Sequence, residues 1–383
     1  MFIVEVVLDT KCNLGCYFCF AKNKSGITVP INSIKKILEN LDNLTTEKIV
    51  QFKYYGGEAM LSQDLLIEHF KLISSYHSNK EFRIVLITNG TIYPNVEMIE
   101  MIKKGTVTIT FSMEGNREQH NNIRKFLSGR GSFDIVIENI KRLALETNRR
   151  FLIQTVMSDE WIRDIDKYID FTEEYKDIAD FCGVPMFGTF EITNEMLNKF
   201  GSALEKYTNK MVEDYKKYGY SNLSFFHEMR AMMKLLSTYE FKNNQFHCLA
   251  GYEQITLVGE NLYPCSRAYH NKMYFSKYKD IKEYKKQRES YKQQVLQDFN
   301  CISCQKKNFI GCIGSCLIST WQNNNTLLEE VCRYNIIFGK HTNDLFKKLI
   351  TNKNFVEDFK SMLLVNLDLT EDISERIKKI LEV

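Results

Sequence analysis

Cys12, Cys16 and Cys19 stand in the run Lys-Cys-Asn-Leu-Gly-Cys-Tyr-Phe-Cys, with three residues between the first pair and two between the second. Three thiolates this close can each bind one iron of a [4Fe–4S] cube and leave the fourth iron open to a small molecule. Zinc is the rival reading, but a structural zinc usually takes four ligands, commonly as two Cys-x-x-Cys pairs, and only one such pair is present here. A second group lies downstream: Cys248, Cys265, Cys301, Cys304, Cys312, Cys316 and Cys332, with Cys182 alone between the groups. Eleven cysteines in a small secreted domain would suggest disulfides. In a chain of 383 residues with no charged-then-apolar leader, clustered cysteines more often bind metal.

Other groups could hold a ligand near the first cysteines. Gly56-Gly57-Glu58 allows close approach of the backbone and offers a carboxylate to an ammonium group. Thr88-Asn89-Gly90 and Ser112-Met113-Glu114-Gly115 bring small polar side chains suited to a ribose or a carboxylate, and Gln154 is a polar residue inside an apolar run. Taken singly, Gly56-Gly57-Glu58 is usually just a turn, the two strand-end stretches are equally well ordinary turns, and Gln154 is equally well a satisfied buried amide.

The elements that must position these groups follow a simple alternation. Apolar strand-like runs fall at Phe2–Leu8, Ile49–Tyr55, Arg83–Thr88, Thr106–Ser112, Phe151–Met157 and Asp180–Met186, with helical spacing in Ile34–Leu41, Leu65–Ser75 and Phe133–Leu145. Such alternation predicts parallel strands with crossover helices. Six units are too few for a closed eight-fold barrel, so a partial barrel is expected, with ligands at the carboxyl ends of the strands. The three-cysteine loop, Gly56-Gly57-Glu58, Thr88-Asn89 and Ser112 all fall at that edge. Helices are expected over Glu195–Tyr218 and Phe226–Leu236, a β-hairpin over Gln254–Val258 and Leu262–Cys265, and a helical tail without a chemical motif.

The cysteine spacing, with Phe18 before the last cysteine, resembles the signature of the radical S-adenosylmethionine (SAM) enzymes. Gly56-Gly57-Glu58 resembles the motif with which that family holds the SAM amino group, although Ala59 stands where Pro is usual. The stretch His120-Asn121-Asn122-Ile123-Arg124, followed by Gly129-Arg130-Gly131-Ser132-Phe133, resembles a family segment in which Asn121 replaces Asp. By that resemblance Arg124 contacts the SAM carboxylate, and Phe18, Gly56, Gly57, Glu58, Thr88, Asn89, Ser112 and Gln154 complete the cofactor pocket. The chemistry implied is reductive cleavage of SAM to a 5′-deoxyadenosyl radical that abstracts a hydrogen atom from an unactivated carbon.

The seven downstream cysteines resemble the SPASM domain, with slightly longer spacings before Cys265 and before Cys312. The resemblance implies two auxiliary [4Fe–4S] clusters, three clusters in all. Cys301, Cys304, Cys312 and Cys332 would ligate the outer one, and Cys248, Cys265 and Cys316 the inner one. The fourth inner position would be open to a substrate thiolate or filled by His247 or Cys182. The domains expected are a partial (β/α)6 barrel at 1–190, a helical linker at 191–245, the SPASM domain at 246–335 and a helical tail at 336–383. Family members of this kind mostly act on peptides, so the leading expectation is a maturase of a ribosomally made precursor peptide that forges a thioether or carbon–carbon cross-link. The alternatives are an anaerobic sulfatase-type maturase making formylglycine, and a cluster-bearing redox protein.

The first strand begins at residue 2, so leader recognition is expected from a separate protein or from the barrel and the helices near 190–245. An external reductant such as flavodoxin or ferredoxin is implied. With 51 basic and 48 acidic side chains and no basic block, nucleic acid is not an expected partner. No apolar run of about 18 residues suggests a membrane span, and a cytoplasmic location is expected.

Overall fold

The computed structural model describes residues 1–19, 21, 24–184, 193–224, 251, 254–270, 276–277, 281–298, 329–349, 351–355 and 357–358. The chain divides into two compact units. The first holds Met1–Gln154, Asp177–Ala179 and Leu249–Gln297, and the second Thr155–Lys176, Asp180–Cys248 and Asp298–Val383.

In the first unit, β1 (Phe2–Val7), β2 (Ile49–Tyr55), β3 (Glu81–Thr88), β4 (Thr108–Ser112) and β5 (Phe151–Val156) are consecutive parallel neighbours. Burial alternates with period two along β2, the end of β3 and β5, while β1 is buried throughout. Phe52, Tyr54, Ile84, Leu86 and Phe111 are buried, and Phe70 of the helix Gln63–Ser75 meets Tyr54 edge-on at 5.0 Å. That face lies under the crossover helices, and each fully buried large apolar side chain there contributes roughly 1.5–3 kcal/mol. The alternating residues Lys53, Tyr55, Ser112 and Gln154 are only half-buried. In register, Ser112 lies opposite Gln154.

The expected hairpin forms, as β8 (Gln254–Val258) and antiparallel β9 (Asn261–Tyr263), with Gly259 at φ +58° in the turn. Two features depart from expectation. β8 pairs in parallel with β1, Ile3 opposite Gln254, so the hairpin extends the first unit's own sheet. Cys265 lies beyond the strand, because Pro264 has no N–H for the ladder, and the chain turns into the helix Ser266–His270. A short β10 (Ser276–Lys277) pairs antiparallel with β9.

In the second unit, β6 (Ala179–Val184) pairs in parallel with β7 (Leu223–Ser224). The helix Asn194–Tyr218 starts at the Thr193 side chain, which accepts from Met196 N, and stops at Gly219, left-handed at φ 78°. The helix Glu329–Leu349 lies along it, with Tyr334 stacked on Phe200 at 4.2 Å. It begins seven residues before the expected tail, so Cys332 falls in its first turn. The expected helix Phe226–Leu236 lies outside the described residues. No helix among the described residues is long and apolar enough to cross a membrane.

Candidate functional site

The three-cysteine loop leaves β1 and is tied down at both ends before any ligand is considered. Asp9 accepts from Lys11 N at 2.8 Å and from the Ser62 hydroxyl at 2.8 Å. Thr10 Oγ1 accepts from Gly26 N and Ile27 N, both at 2.9 Å, where the loop returns. Gly57 N donates to Asp9 O at 2.9 Å and Glu58 N to Lys11 O at 2.7 Å. A Cβ on Gly56 would stand 2.3 Å from Asp9 O, and one on Gly57 2.0 Å from Lys11 O. The glycine pair therefore lets the β2 loop grip the backbone that leads to Cys12, a role beyond the ligand approach expected from sequence.

Glu58 is 1 % exposed, and both its oxygens already accept. Thr88 donates at 2.6 Å and Met60 N at 3.0 Å to Oε1, and Asn89 N donates at 2.7 Å to Oε2. Burial pushes its pKa up, while these donors pull it back. Thr88, expected in the ligand pocket, is itself buried and turned to Glu58. Asn89 connects the next strand end to the loop, donating to Asn13 Oδ1 at 2.9 Å and toward Cys12 Sγ at 3.9 Å, and accepting from Thr91. Asn13 in turn donates to Thr91 at 2.8 Å. Asn13 and Thr91 do not stand out in the sequence; the signal available was a polar residue beside each motif.

On the other flank, Arg124 donates to Glu114 Oε1 from Nε at 2.8 Å and Nη2 at 2.6 Å. Its Nη1 points to Cys16 Sγ at 3.8 Å, and its guanidinium lies 5.2 Å from the centre of the Phe18 ring. Burial opposes the charge, but Glu114 and the neighbouring thiols hold the Arg124 pKa above its usual value. His120, fully buried, orders this corner. Its Nδ1 accepts from Glu114 N at 3.3 Å, and its Nε2 meets Ser132 Oγ at 2.9 Å, whose hydroxyl donates to Arg124 O at 2.8 Å. Those partners assign the proton to Nε2. Burial, with Arg124 nearby, pushes the His120 pKa down to about 3. Asn121 accepts from Phe133 N at 3.0 Å, and its side chain occupies the space that a Cβ on Gly131 would need.

Cys12, Cys16 and Cys19 are half-buried and free. Burial raises the pKa of Cys12 and of Cys16, though Arg124 lowers that of Cys16; a bound iron would deprotonate them outright. Leu14 N and Asn89 Nδ2 face Cys12, and Arg124 faces Cys16, the N–H donors that suit cluster thiolates. Among the described residues no three His, Cys, Asp or Glu groups converge as round a single ion. A cube offers each thiolate an iron of its own, and the donor set fits it.

A further cluster lies on the half-buried strand face. Glu5 accepts from the Tyr55 hydroxyl at 2.9 Å and Thr256 at 2.8 Å, with Lys53 at 3.4 Å. A carboxylate in the middle of the apolar run of β1 was the sequence signal for it. Of the seven downstream cysteines, Cys265 and Cys332 are half-buried, the first in the first unit and the second in the second. Cys248, Cys301, Cys304, Cys312, Cys316 and His247 lie outside the described residues. Cys182 is 1 % exposed and donates toward Gly183 O at 3.7 Å, as a strand residue in the core would.

Residues 6–172 match the model of the Radical SAM superfamily. A cysteine-type anaerobic sulfatase-maturating enzyme of Clostridium novyi is 24 % identical over 281 residues, 67 % of this chain and 71 % of that protein. The fold superposes on anSMEcpe with bound AdoMet and Cp18Cys peptide at a TM-score of 0.72 and 17 % identity, covering 94 % of this chain and 99 % of the other. It superposes on Streptococcus suis SuiB bound to S-adenosylmethionine at 0.58 and 17 % identity, covering 86 % and 77 %. At such identities the superpositions show a common fold.

Proposed function

We propose, on the premise that residues 6–172 form a Radical SAM superfamily domain, that this chain is a maturase that modifies a side chain of a peptide, installing a thioether or carbon–carbon cross-link in a ribosomally made precursor. The domain implies SAM and one [4Fe–4S] cluster. Cys12, Cys16 and Cys19 would hold the cluster, and together the pair would supply a carbon radical strong enough to take hydrogen from an unactivated carbon. The observation that carries the reading is the bracing of the Cys12 and Cys16 thiols from successive strand ends: Asn89 after β3, itself held by Glu58 after β2, faces Cys12, and Arg124, held by Glu114 after β4, faces Cys16.

The protein's own part is orientation. Glu58, fixed by Thr88 and Met60 N on Oε1 and by Asn89 N on Oε2, keeps one acceptor site on Oε2 for the SAM ammonium. Arg124 is held by Glu114 and keeps an N–H free for the SAM carboxylate. Ser112 and Gln154, paired in register on the half-buried face, would line the remainder. Cys248, Cys265 and Cys316, and Cys301, Cys304, Cys312 and Cys332, would carry two auxiliary clusters.

A peptide substrate is supported by the fold likeness to an enzyme solved with SAM and a peptide together. The same likeness, with that to the Clostridium novyi enzyme, favours a second reading, oxidation of Cys or Ser to formylglycine. Anaerobic co-expression with candidate precursor peptides, short reading frames taken from the gene's surroundings, followed by mass measurement, separates the two. A two-hydrogen loss with no hydrazide-reactive carbonyl supports the cross-link. A hydrazide-reactive aldehyde gives the second reading, and an unmodified peptide counts against both.

A further inference from the structure

The loop that carries the three cysteines and the hairpin that packs on it are free of acid. Between Asp9 and Glu39 the charged residues are Lys11, Lys22, Lys24, Lys35 and Lys36; between Glu118 and Asp134 they are Arg124, Lys125 and Arg130. Against a whole chain with 51 basic and 48 acidic side chains, two such stretches side by side are a local feature. Their contact is direct. Leu14 bridges Phe126, Gly15 N donates to Lys125 O at 2.8 Å, and Leu127 N donates to Asn13 O at 3.2 Å. The hairpin closes on itself through Phe126 N to Arg130 O at 2.8 Å.

The outer surface so formed has an apolar centre and a basic rim. Tyr17 is 51 % and Leu127 69 % exposed, with Cys16 and Cys19 half-buried in the same loop. Lys11, Lys125 and Arg130 are exposed, and none has an ion pair among the described residues; Arg130 lies over the Phe126 ring at 4.9 Å. An apolar centre inside a charged rim is the anatomy of a docking surface, and unpaired charges of one sign steer an oppositely charged partner.

We propose that this rim docks an acidic one-electron carrier protein, of the flavodoxin or ferredoxin kind, directly above the cysteine loop. The proposal rests on the reading that Cys12, Cys16 and Cys19 hold the SAM cluster. Each reductive step then takes one electron from the carrier, which is oxidised by one electron, and no proton or group moves with it. Electron-transfer contacts are small and transient, so charge on the rim governs the rate of encounter and makes it sensitive to salt. The carrier is favoured over an acidic stretch of the substrate because the patch lies on the loop that bears the electron-accepting group.

The test uses the complete holoprotein under anaerobic conditions, with Lys125→Glu/Arg130→Glu and the milder Lys125→Gln/Arg130→Gln. Cluster bleaching by reduced flavodoxin is followed by stopped flow at low and high salt, and flavodoxin binding by calorimetry. At low salt the charge-reversed protein should be reduced at least tenfold more slowly and bind more weakly, the glutamine variant falling between. Reduced methyl viologen, which needs no docking surface, should reduce both variants at least as fast as the wild type. Wild-type rates and salt dependence with flavodoxin in the charge-reversed protein would overturn the proposal. So would unchanged reduction with lost peptide binding, which gives the surface to the substrate. Failure of viologen to reduce the wild-type protein would instead overturn the cluster assignment beneath it.

Discussion

Glu58 and Arg124 are each committed to the protein before a ligand arrives, and that commitment defines their roles. Glu58 Oε1 depends on the Thr88 hydroxyl at 2.6 Å in a site 1 % exposed. Thr88→Val leaves that oxygen short of a donor, and we expect a loss of about 1–3 kcal/mol in stability by chemical denaturation, with weaker SAM binding by calorimetry. Arg124→Lys gives up the two-pronged contact with Glu114 and the planar cation over Phe18. SAM affinity should fall roughly tenfold or more with the fold unchanged by circular dichroism. His120 sets a pH dependence. Its folded pKa, near 3, lies below the unfolded value, so the unfolded chain binds the extra proton first as the solution is acidified. The stability it contributes is complete above about pH 6.5 and is lost as pH falls toward 3, by about 1.36 kcal/mol for each pH unit crossed between the two values. His69, pushed by burial to about 4, acts in the same direction. Denaturation midpoints at a series of pH values check the slope, and His120→Gln should flatten part of it.

Two glycines beside the cysteine loop, Gly57 after β2 and Gly129 in the hairpin turn, have opposite burdens. Gly57 faces Lys11 O so closely that a Cβ would stand at 2.0 Å, so Gly57→Ala must push the cysteine loop off the end of β2. Iron bound after anaerobic reconstitution should fall sharply. Gly129, at φ +87° with nothing within 4 Å of an added Cβ, meets only backbone strain. Gly129→Ala should cost about 1 kcal/mol and leave iron content unchanged. Much of this element-level order was legible in the sequence. The parallel strands announced themselves as apolar runs, and the cysteine loop, Gly56-Gly57-Glu58 and Thr88-Asn89 fell at successive strand ends. Two things were not legible. The pairing of β8 with β1 joins residues 251 apart, as at Glu5 and Thr256, and no local periodicity encodes such a pairing. The grip of Glu58 on Asn89 N and of Arg124 on Glu114 depends on loop paths that spacing alone does not define.

At the scale of the molecule, Cys265 belongs to the first compact unit and Cys332 to the second. If the seven downstream cysteines hold two further clusters, Cys301→Ala/Cys304→Ala should lower bound iron by about four per chain while SAM cleavage persists. Everything else proposed for this chain, from peptide modification to the docked electron carrier, stands on the triplet Cys12, Cys16 and Cys19. The decisive measurement is 5′-deoxyadenosine release, by chromatography, from anaerobically reconstituted protein given SAM and a low-potential reductant. Release from the wild-type protein, abolished in Cys12→Ala/Cys16→Ala/Cys19→Ala while the downstream cysteines are intact, is the predicted result. Release that persists in that triple variant, or none from a wild-type protein shown to carry the reduced cluster, would contradict it.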